Sequence, residues 1–177
     1  MLQRYNIAAC PIDQIDNERL FQLSSNFLSA SNAYCLSVGA ALPHVTLCQF
    51  RCDNDDRAID AVKEYIGIEF DVSTNEIYIK HHVASDGYWV GLNVLRGRGL
   101  LHTQSEIVGS LGSQSIETLT ADGDEYFPHF TLARILLGKV PLDLLLTDKQ
   151  LLNRTIPCRL KLGLSDENGQ FVRVLAD

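Results

Sequence analysis

Long hydrophobic runs are missing from this 177-residue sequence. Although 46% of its residues are hydrophobic, no stretch is uniformly apolar over the length that spans a bilayer. Residues Met1 to Asn6 do not place a basic segment before a long apolar one, which is the pattern of a secretory signal. We therefore expect a cytoplasmic protein without a membrane partner, and the apolar fraction is sufficient for the core of a globular domain.

Cysteine is present, but without the patterns that indicate disulfides or zinc. The five cysteines are an odd number, their spacing is irregular and no CxxC pair occurs, whereas a disulfide framework usually uses an even number. Cys48 and Cys52 lie near His44, but a zinc site needs about four ligands in paired spacing, and the second pair is missing. We expect reduced, mostly buried thiols, and neither a metal nor another cofactor.

Basic residues are fewer than acidic ones. The 15 Lys and Arg residues face 22 Asp and Glu residues, which gives a net charge of −7. A protein that binds along a nucleic acid usually has a basic face, so this balance favours a small or terminal phosphate substrate over tight binding along a backbone. A phosphate-binding loop of the GxxxxGK[ST] type is also missing. We expect a monomer that uses no ATP.

The order of predicted elements repeats once along the chain, which is a sign of internal duplication. Each half is predicted as strand, helix, strand, helix, strand. No low-complexity linker separates the halves, so we expect one domain over residues 1–177, with lobe-forming halves at about 1–82 and 83–177. Strands are predicted at 3–10, 44–50, 68–80, 88–95, 129–135, 156–164 and 170–175, and helices at 14–29, after Asp53–Asp55, at 98–111 and from Pro141 to about 152.

Two short motifs show the repetition most clearly. Residues 42–47 read Leu-Pro-His-Val-Thr-Leu, and residues 127–132 read Phe-Pro-His-Phe-Thr-Leu. Residues i and i+2 of a strand share a face. Each strand is therefore predicted to present an imidazole and a hydroxyl on one face, while the alternate apolar residues pack in the core.

The four polar side chains of these motifs suit phosphoester chemistry if the halves face each other. A neutral histidine could take a proton from the attacking water or hydroxyl, and a protonated one could give a proton to the leaving oxygen. Threonine hydroxyls can donate hydrogen bonds to the non-bridging phosphate oxygens. We therefore predict His44 and His129 as catalytic residues and Thr46 and Thr131 as substrate-binding residues, without assigning the acid or the base.

The two His-x-Thr motifs resemble those of the 2H phosphoesterases, most closely the branch of bacterial 2′-5′ RNA ligases and RNA 2′,3′-cyclic phosphodiesterases. The segment Phe127–Arg134 is particularly like the family's second motif, and Tyr88–Leu92 resembles the strand that opens its second half. The resemblance implies an α+β fold: a bilobed, pseudo-symmetric duplication with two antiparallel sheets, helices on the outer faces and a central cleft. It also implies activity on 2′,3′-cyclic phosphates or on 2′-5′ linkages, in hydrolysis or ligation.

Several residues near the second motif are further candidates. Tyr126 and Phe127 precede His129 in a predicted loop, where an aromatic ring could stack on an unpaired base. Arg134 is also a candidate for substrate binding, although strict alternation places it on the opposite face from His129, so a bend would be needed to bring it to the cleft. His81 and His82 are predicted to lie in a solvated turn, and most other aromatic residues in the core.

Two other functions remain open at this point. One is a nucleotide-binding module that uses the same cleft without turnover. The other is a phosphodiesterase for a small phosphate ester unrelated to RNA, which the acidic composition favours mildly.

Overall fold

The computed structural model describes residues 2–27, 34–37, 40–82, 87–136 and 151–177. Eight strands and three α-helices follow one another along these parts of the chain. In chain order they are β1 (Gln3–Pro11), α1 (Gln14–Ser25), β2 (Tyr34–Cys35), β3 (Val45–Cys52), α2 (Asp55–Val62), β4 (Glu69–His82), β5 (Gly87–Val94), α3 (Arg98–Ser113), β6 (His129–Leu136), β7 (Thr155–Ser165) and β8 (Phe171–Ala176).

The predicted elements agree closely with these bounds. Two helices begin at polar caps: the Asp13 carboxylate accepts the Ile15 N–H at 2.8 Å, and the Asn54 side chain accepts the Arg57 N–H at 2.9 Å. Helix α1 ends four residues earlier than predicted, where the Phe27 N–H turns back to the Ser24 carbonyl. The helix predicted from residue 141 lies outside the described residues as far as residue 150.

All described strand pairs are antiparallel, which confirms the predicted α+β class. The strand order is β1-β3-β6-β5-β4-β7-β8, and β2 pairs with β6 outside this path. Strand β1 also pairs with β7, so six strands form a closed ring of pairings.

The two predicted sheets are joined edge to edge within this ring. One comprises β3, β1, β7 and β8, and the other comprises β6, β5 and β4. They meet at β3–β6, through the pair Val45↔Phe130, and at β4–β7, where residues 69–73 pair with residues 155–159. Strand β4, from the first half of the sequence, pairs with β5, and β7, from the second half, pairs with β1. The sequence halves are thus interleaved in space.

The core lies between the sheet and the helices. Val45 and Leu47 of β3 are fully buried, as are Phe130 and Leu132 of β6, which is the alternation predicted from the two motifs. The predicted buried, reduced thiols are confirmed for four of the five cysteines: Cys10, Cys48, Cys52 and Cys158 are buried and free. None of the described helices is long and apolar enough to cross a membrane.

Candidate active site

The join between β3 and β6 brings the two motifs together. Val45 pairs with Phe130. In an antiparallel pair of strands, facing residues keep the same sum of residue numbers, which is 175 here. Continuing this antiparallel register by one residue on either side sets His44 against Thr131 and Thr46 against His129. Val45 and Phe130 point into the core, so the four polar neighbours project from the other face. All four line one cavity of about 410 Å³.

Both histidines are held in the same way by the chain that precedes them. The Nδ1 atom of His44 lies 2.8 Å from the Leu42 carbonyl oxygen, and that of His129 lies 2.7 Å from the Phe127 carbonyl oxygen. A carbonyl oxygen only accepts, so Nδ1 carries the proton in each ring. The Nε2 atom is therefore the ring nitrogen available for proton transfer, and a neutral ring offers it as a base.

Burial keeps both imidazoles neutral in the absence of a ligand. It lowers the pKa of His44 to about 4, against the opposing effect of the Leu42 carbonyl, and the nearby His129 lowers this pKa further. The pKa of His129 is also lowered, mainly by burial and additionally by the positive charge of Lys80. Since an anion favours imidazolium, a bound phosphate would raise both pKa values and promote uptake of the proton that acid catalysis needs.

The two threonine hydroxyls have different partners. Thr46 Oγ1 accepts a hydrogen bond of 2.9 Å from the Nδ2 group of Asn6 on β1. Thr131 Oγ1 lies 3.5 Å from the Tyr78 hydroxyl on β4, and either oxygen can be the donor at that position. Burial raises the pKa of Tyr78, so its hydroxyl stays protonated.

An aromatic ring packs against each histidine in a space that a glycine leaves open. Phe171 lies 5.6 Å from His44, and Tyr78 lies 5.0 Å from His129, edge to face. A Cβ atom on Gly163 would stand 2.5 Å from the Phe171 ring, and one on Gly91 would stand 2.5 Å from the Tyr78 ring. Only glycine therefore leaves room for these rings beside the imidazoles.

Tyr126 and Phe127 both line the cavity, but in different ways. Tyr126 is buried, and its hydroxyl donates a hydrogen bond to the Thr46 carbonyl, so it attaches the loop to β3. Phe127 is 40% exposed and stacks on His129 with a centroid distance of 5.2 Å. Of the two, Phe127 has the ring face that a base could reach.

Arg134 is not among the described residues that line the cavity. Its guanidinium lies over the Trp89 ring, 5.6 Å from the centroid, and Trp89 does line the cavity. Arg134 is paired with Trp89 across β6 and β5, and a register shift between Val90 and Gly91 brings it to the same sheet face as Trp89. Its direct contact with a substrate remains a prediction.

The prediction that His81 and His82 lie in a turn is wrong, although His81 is exposed as predicted. Strand β4 continues through both residues because its pairing with β5 extends to His82↔Gly87. His81 lines the cavity together with Tyr78 and Lys80 of the same strand. The alternation in Ile77-Tyr78-Ile79-Lys80 could have indicated a second polar strand face, since Tyr78 and Lys80 are two residues apart.

The turn between β7 and β8 supplies a further wall that sequence reasoning missed. The Asp166 carboxylate accepts the N–H groups of Asn168 and Gln170, and Gly169 adopts a φ of 83°. Gln49 of β3 donates to the Gly169 carbonyl at 2.8 Å. The Gln170 side chain is 5% exposed and lines the cavity, and its Oε1 atom has no hydrogen-bond partner among the described residues. It can therefore accept a hydrogen bond from a ligand.

No group of three or more His, Cys, Asp and Glu side chains in the described parts of the chain is arranged to hold a metal ion. The groups around the cavity offer other chemistry: two nitrogen bases, hydroxyl and amide donors, the ammonium of Lys80 and exposed aromatic surface. This set can bind an anion and move protons on two sides of it.

No protein-family model and no curated protein matches this sequence. Solved structures do match it over its whole length. E. coli LigT complexed with 3′-AMP is similar with a TM-score of 0.64 at 14% identity, over 100% of this chain and 96% of that one. E. coli LigT complexed with phosphate is similar with a TM-score of 0.59 at 13% identity, over 99% and 95% of the two chains. The architecture implied by the two His-x-Thr motifs is thus confirmed: this chain has the fold of LigT.

Proposed function

We propose that residues 1–177 form a single-domain, cytoplasmic 2H phosphoesterase that hydrolyses 2′,3′-cyclic phosphates of RNA ends or nucleotides without a metal. The observation that carries the proposal is the pair of imidazoles with the same Nδ1–H tautomer, set beside two threonine hydroxyls in one cavity. The LigT complexes with 3′-AMP and with phosphate support it, because they place a nucleotide and an anion on a protein of this fold.

The proposed reaction needs one proton transfer at each histidine. One neutral Nε2 takes a proton from water as the water oxygen forms a bond to phosphorus. The bond from phosphorus to the 2′ or the 3′ oxygen breaks, and the protonated second imidazole gives its proton to that oxygen. Thr46 and Thr131 donate hydrogen bonds to the non-bridging oxygens, whose charge grows in the transition state. The same sequence with a 5′-hydroxyl in place of water, and with the bond from phosphorus to the 3′ oxygen breaking, joins two RNA ends through a 2′-5′ linkage.

Burial favours His44 as the base in hydrolysis. His44 is 6% exposed, and burial lowers its pKa to about 4, so its ring is neutral and can take a proton. His129 is half-buried at the mouth, beside the exposed Phe127. A ring in that position can exchange its proton with solvent between turnovers, which suits the acid. The roles exchange in the reverse direction, in which the cyclic phosphate is formed again.

The walls of the cavity suit a nucleotide or a short RNA end. A volume of about 410 Å³ is within the range of small-molecule sites. Phe127 and Trp89 supply aromatic surface for a base, and Gln170 supplies an unpaired acceptor for a hydroxyl or an amino group. A non-catalytic nucleotide-binding module or an esterase for a small phosphate diester would use the same walls, so turnover must decide.

The deciding experiment measures hydrolysis of 2′,3′-cyclic nucleotides and cyclic-phosphate-ended RNA in the presence of EDTA. We expect turnover by the wild type and a loss of about a hundredfold or more in His44→Ala and in His129→Ala, as is typical for a general acid or base. His102→Ala is the matched control, because His102 lies exposed on α3 and pairs only with Glu106. Binding without turnover would identify a binding module, and turnover that survives both substitutions would refute the site.

A further inference from the structure

Asn6 is an anomaly in strand β1. Its neighbours Tyr5, Ile7 and Ala8 are fully buried and largely apolar, which is the usual composition of a strand covered on both faces. Asn6 is also 0% exposed. Asparagine is rarely buried so completely, and its Oδ1 atom has no hydrogen-bond partner among the described residues. A side chain that costs stability at a core position indicates a functional reason for keeping it.

Among the described residues, the Asn6 side chain has one hydrogen-bond partner, and this partner lies in the proposed active site. Its Nδ2 group donates to Thr46 Oγ1 at 2.9 Å. A hydroxyl has one hydrogen and two lone pairs, so the amide occupies a lone pair and leaves the hydroxyl hydrogen to point elsewhere. Thr46 lines the cavity, and that is the direction still open to its hydrogen.

We propose that Asn6 is a positioning residue, which orients the Thr46 hydroxyl so that its hydrogen points into the cavity and donates to a phosphate oxygen. This inference rests on the proposed function, since it assigns Thr46 to the phosphate. Preorientation matters because a donor that is already aimed need not reorganise as charge develops on the oxyanion.

In the second motif, the Thr131 hydroxyl is not held in one orientation. The partner of Thr131 is the Tyr78 hydroxyl, which is 3.5 Å away and can donate or accept by rotation about its C–O bond. Asn6 is therefore expected to act on one threonine alone. A general effect on folding or on cavity shape would be felt at both threonines, and this difference makes the proposal testable.

The test is a double-mutant cycle read by calorimetric titration with inorganic phosphate. Asn6→Ala, Thr46→Val and Thr131→Val are compared with the pairs Asn6→Ala/Thr46→Val and Asn6→Ala/Thr131→Val. We expect Asn6→Ala to weaken phosphate binding about tenfold in the wild type and in Thr131→Val, as for a lost charge-assisted hydrogen bond. In Thr46→Val we expect no further weakening. An equal loss in all three backgrounds would overturn the proposal.

A second variant separates orientation from folding. Asn6→Leu keeps a similar volume and removes both the donor and the unpaired Oδ1 atom. We expect it to unfold at the same temperature as the wild type or higher, and to bind phosphate about tenfold more weakly. A folded Asn6→Leu with unchanged phosphate affinity would refute the inference, and so would a wild type that binds no phosphate.

The phosphate titration is independent of turnover. If the wild type hydrolyses no cyclic phosphate but the cycle behaves as expected, the proposed reaction fails and the role of Asn6 stands. If the wild type hydrolyses cyclic phosphates while Asn6→Ala leaves KM, kcat and phosphate affinity unchanged, the proposed reaction stands and the role of Asn6 fails.

Discussion

The hydroxyl of Tyr126 donates a hydrogen bond of 2.7 Å to the backbone carbonyl of Thr46, so the loop that leads into one motif is attached to the strand of the other. Removal of this hydroxyl leaves a carbonyl without its partner at the join. We expect Tyr126→Phe to lower the free energy of unfolding by about 1–3 kcal/mol and to lower kcat, because His129 follows the same loop. Urea denaturation and steady-state kinetics measure the two effects.

Tyr65→Phe is the matched control for this prediction. The Tyr65 hydroxyl also donates to a backbone carbonyl, that of Glu106, but at 3.3 Å and near the surface. We expect a change in unfolding free energy within about 0.5 kcal/mol there. Equal effects of the two substitutions would show that the Tyr126 bond has no special importance for the site.

Gly91 makes room for the Tyr78 ring that contacts His129. A Cβ atom at this position would stand 2.1 Å from the Phe130 carbonyl oxygen and 2.5 Å from the Tyr78 ring. We expect Gly91→Ala to destabilise the protein by about 1–3 kcal/mol and to reduce kcat by displacing Tyr78. Thermal unfolding and turnover at a temperature well below the transition would show both effects.

Gly109 provides the opposite case on helix α3. Apart from the adjacent residues and the backbone of the helix itself, no heavy atom of the described residues lies within 4 Å of a Cβ built there. Alanine also has a better helix propensity than glycine. We expect Gly109→Ala to stabilise the protein by about 0.5–1 kcal/mol, with unchanged kcat. A Gly91→Ala variant as stable as this one would contradict the packing described around Tyr78.

The lowered histidine pKa values predict an acidic optimum for kcat/KM. Activity needs one neutral ring and one protonated ring, so it rises with pH through the pKa of the base and falls through that of the acid. His44 has a pKa of about 4, and the pKa of His129 lies below its ordinary value of 6.5. Since both pKa values lie below 6.5, the maximum is expected below pH 6.5. An optimum well above 7 in the pH profile of kcat/KM would contradict this expectation.

Lys80 affects the pKa of His129 through its charge. Its positive charge is one of the causes that lower the pKa of His129, and its Nζ atom lies 5.9 Å from the Phe127 centroid. We expect Lys80→Gln to raise the pKa of His129, which moves the falling limb of the kcat/KM profile to higher pH and leaves the rising limb in place. Lys63→Gln, on an exposed residue paired with Asp60, should move neither limb.

The placement of the two His-x-Thr motifs was predictable because it depends on local rules. Proline before each motif, alternation along a strand and the repetition of His-x-Thr are all visible in the order of residues, and they place His44 and Thr46 on one face. Asn6 and Gln170 were not predictable in this way. Their roles depend on which strands become neighbours and in what register, and that is set by packing across the whole sheet.

The incorrect prediction of a turn at His81 has the same cause. A polar Lys-His-His segment is typical of a strand end, and only its pairing with β5 shows that β4 continues. The exchange of β4 and β7 between the sequence halves likewise follows from pairing over long separations. A duplicated sequence indicates two similar units, but it does not show which strands of one unit pair with strands of the other.

The closed ring of strand pairings has a kinetic consequence. The two sheets are joined at β3–β6 and again at β4–β7, so rotation of one sheet against the other would break backbone hydrogen bonds at one of these places. The spacing of the two imidazoles is therefore a property of a rigid frame, present before any substrate arrives. For the proposed phosphoesterase, we therefore expect selection of a phosphate ester by the size of its reactive end, and a turnover limited by bond breaking or product release.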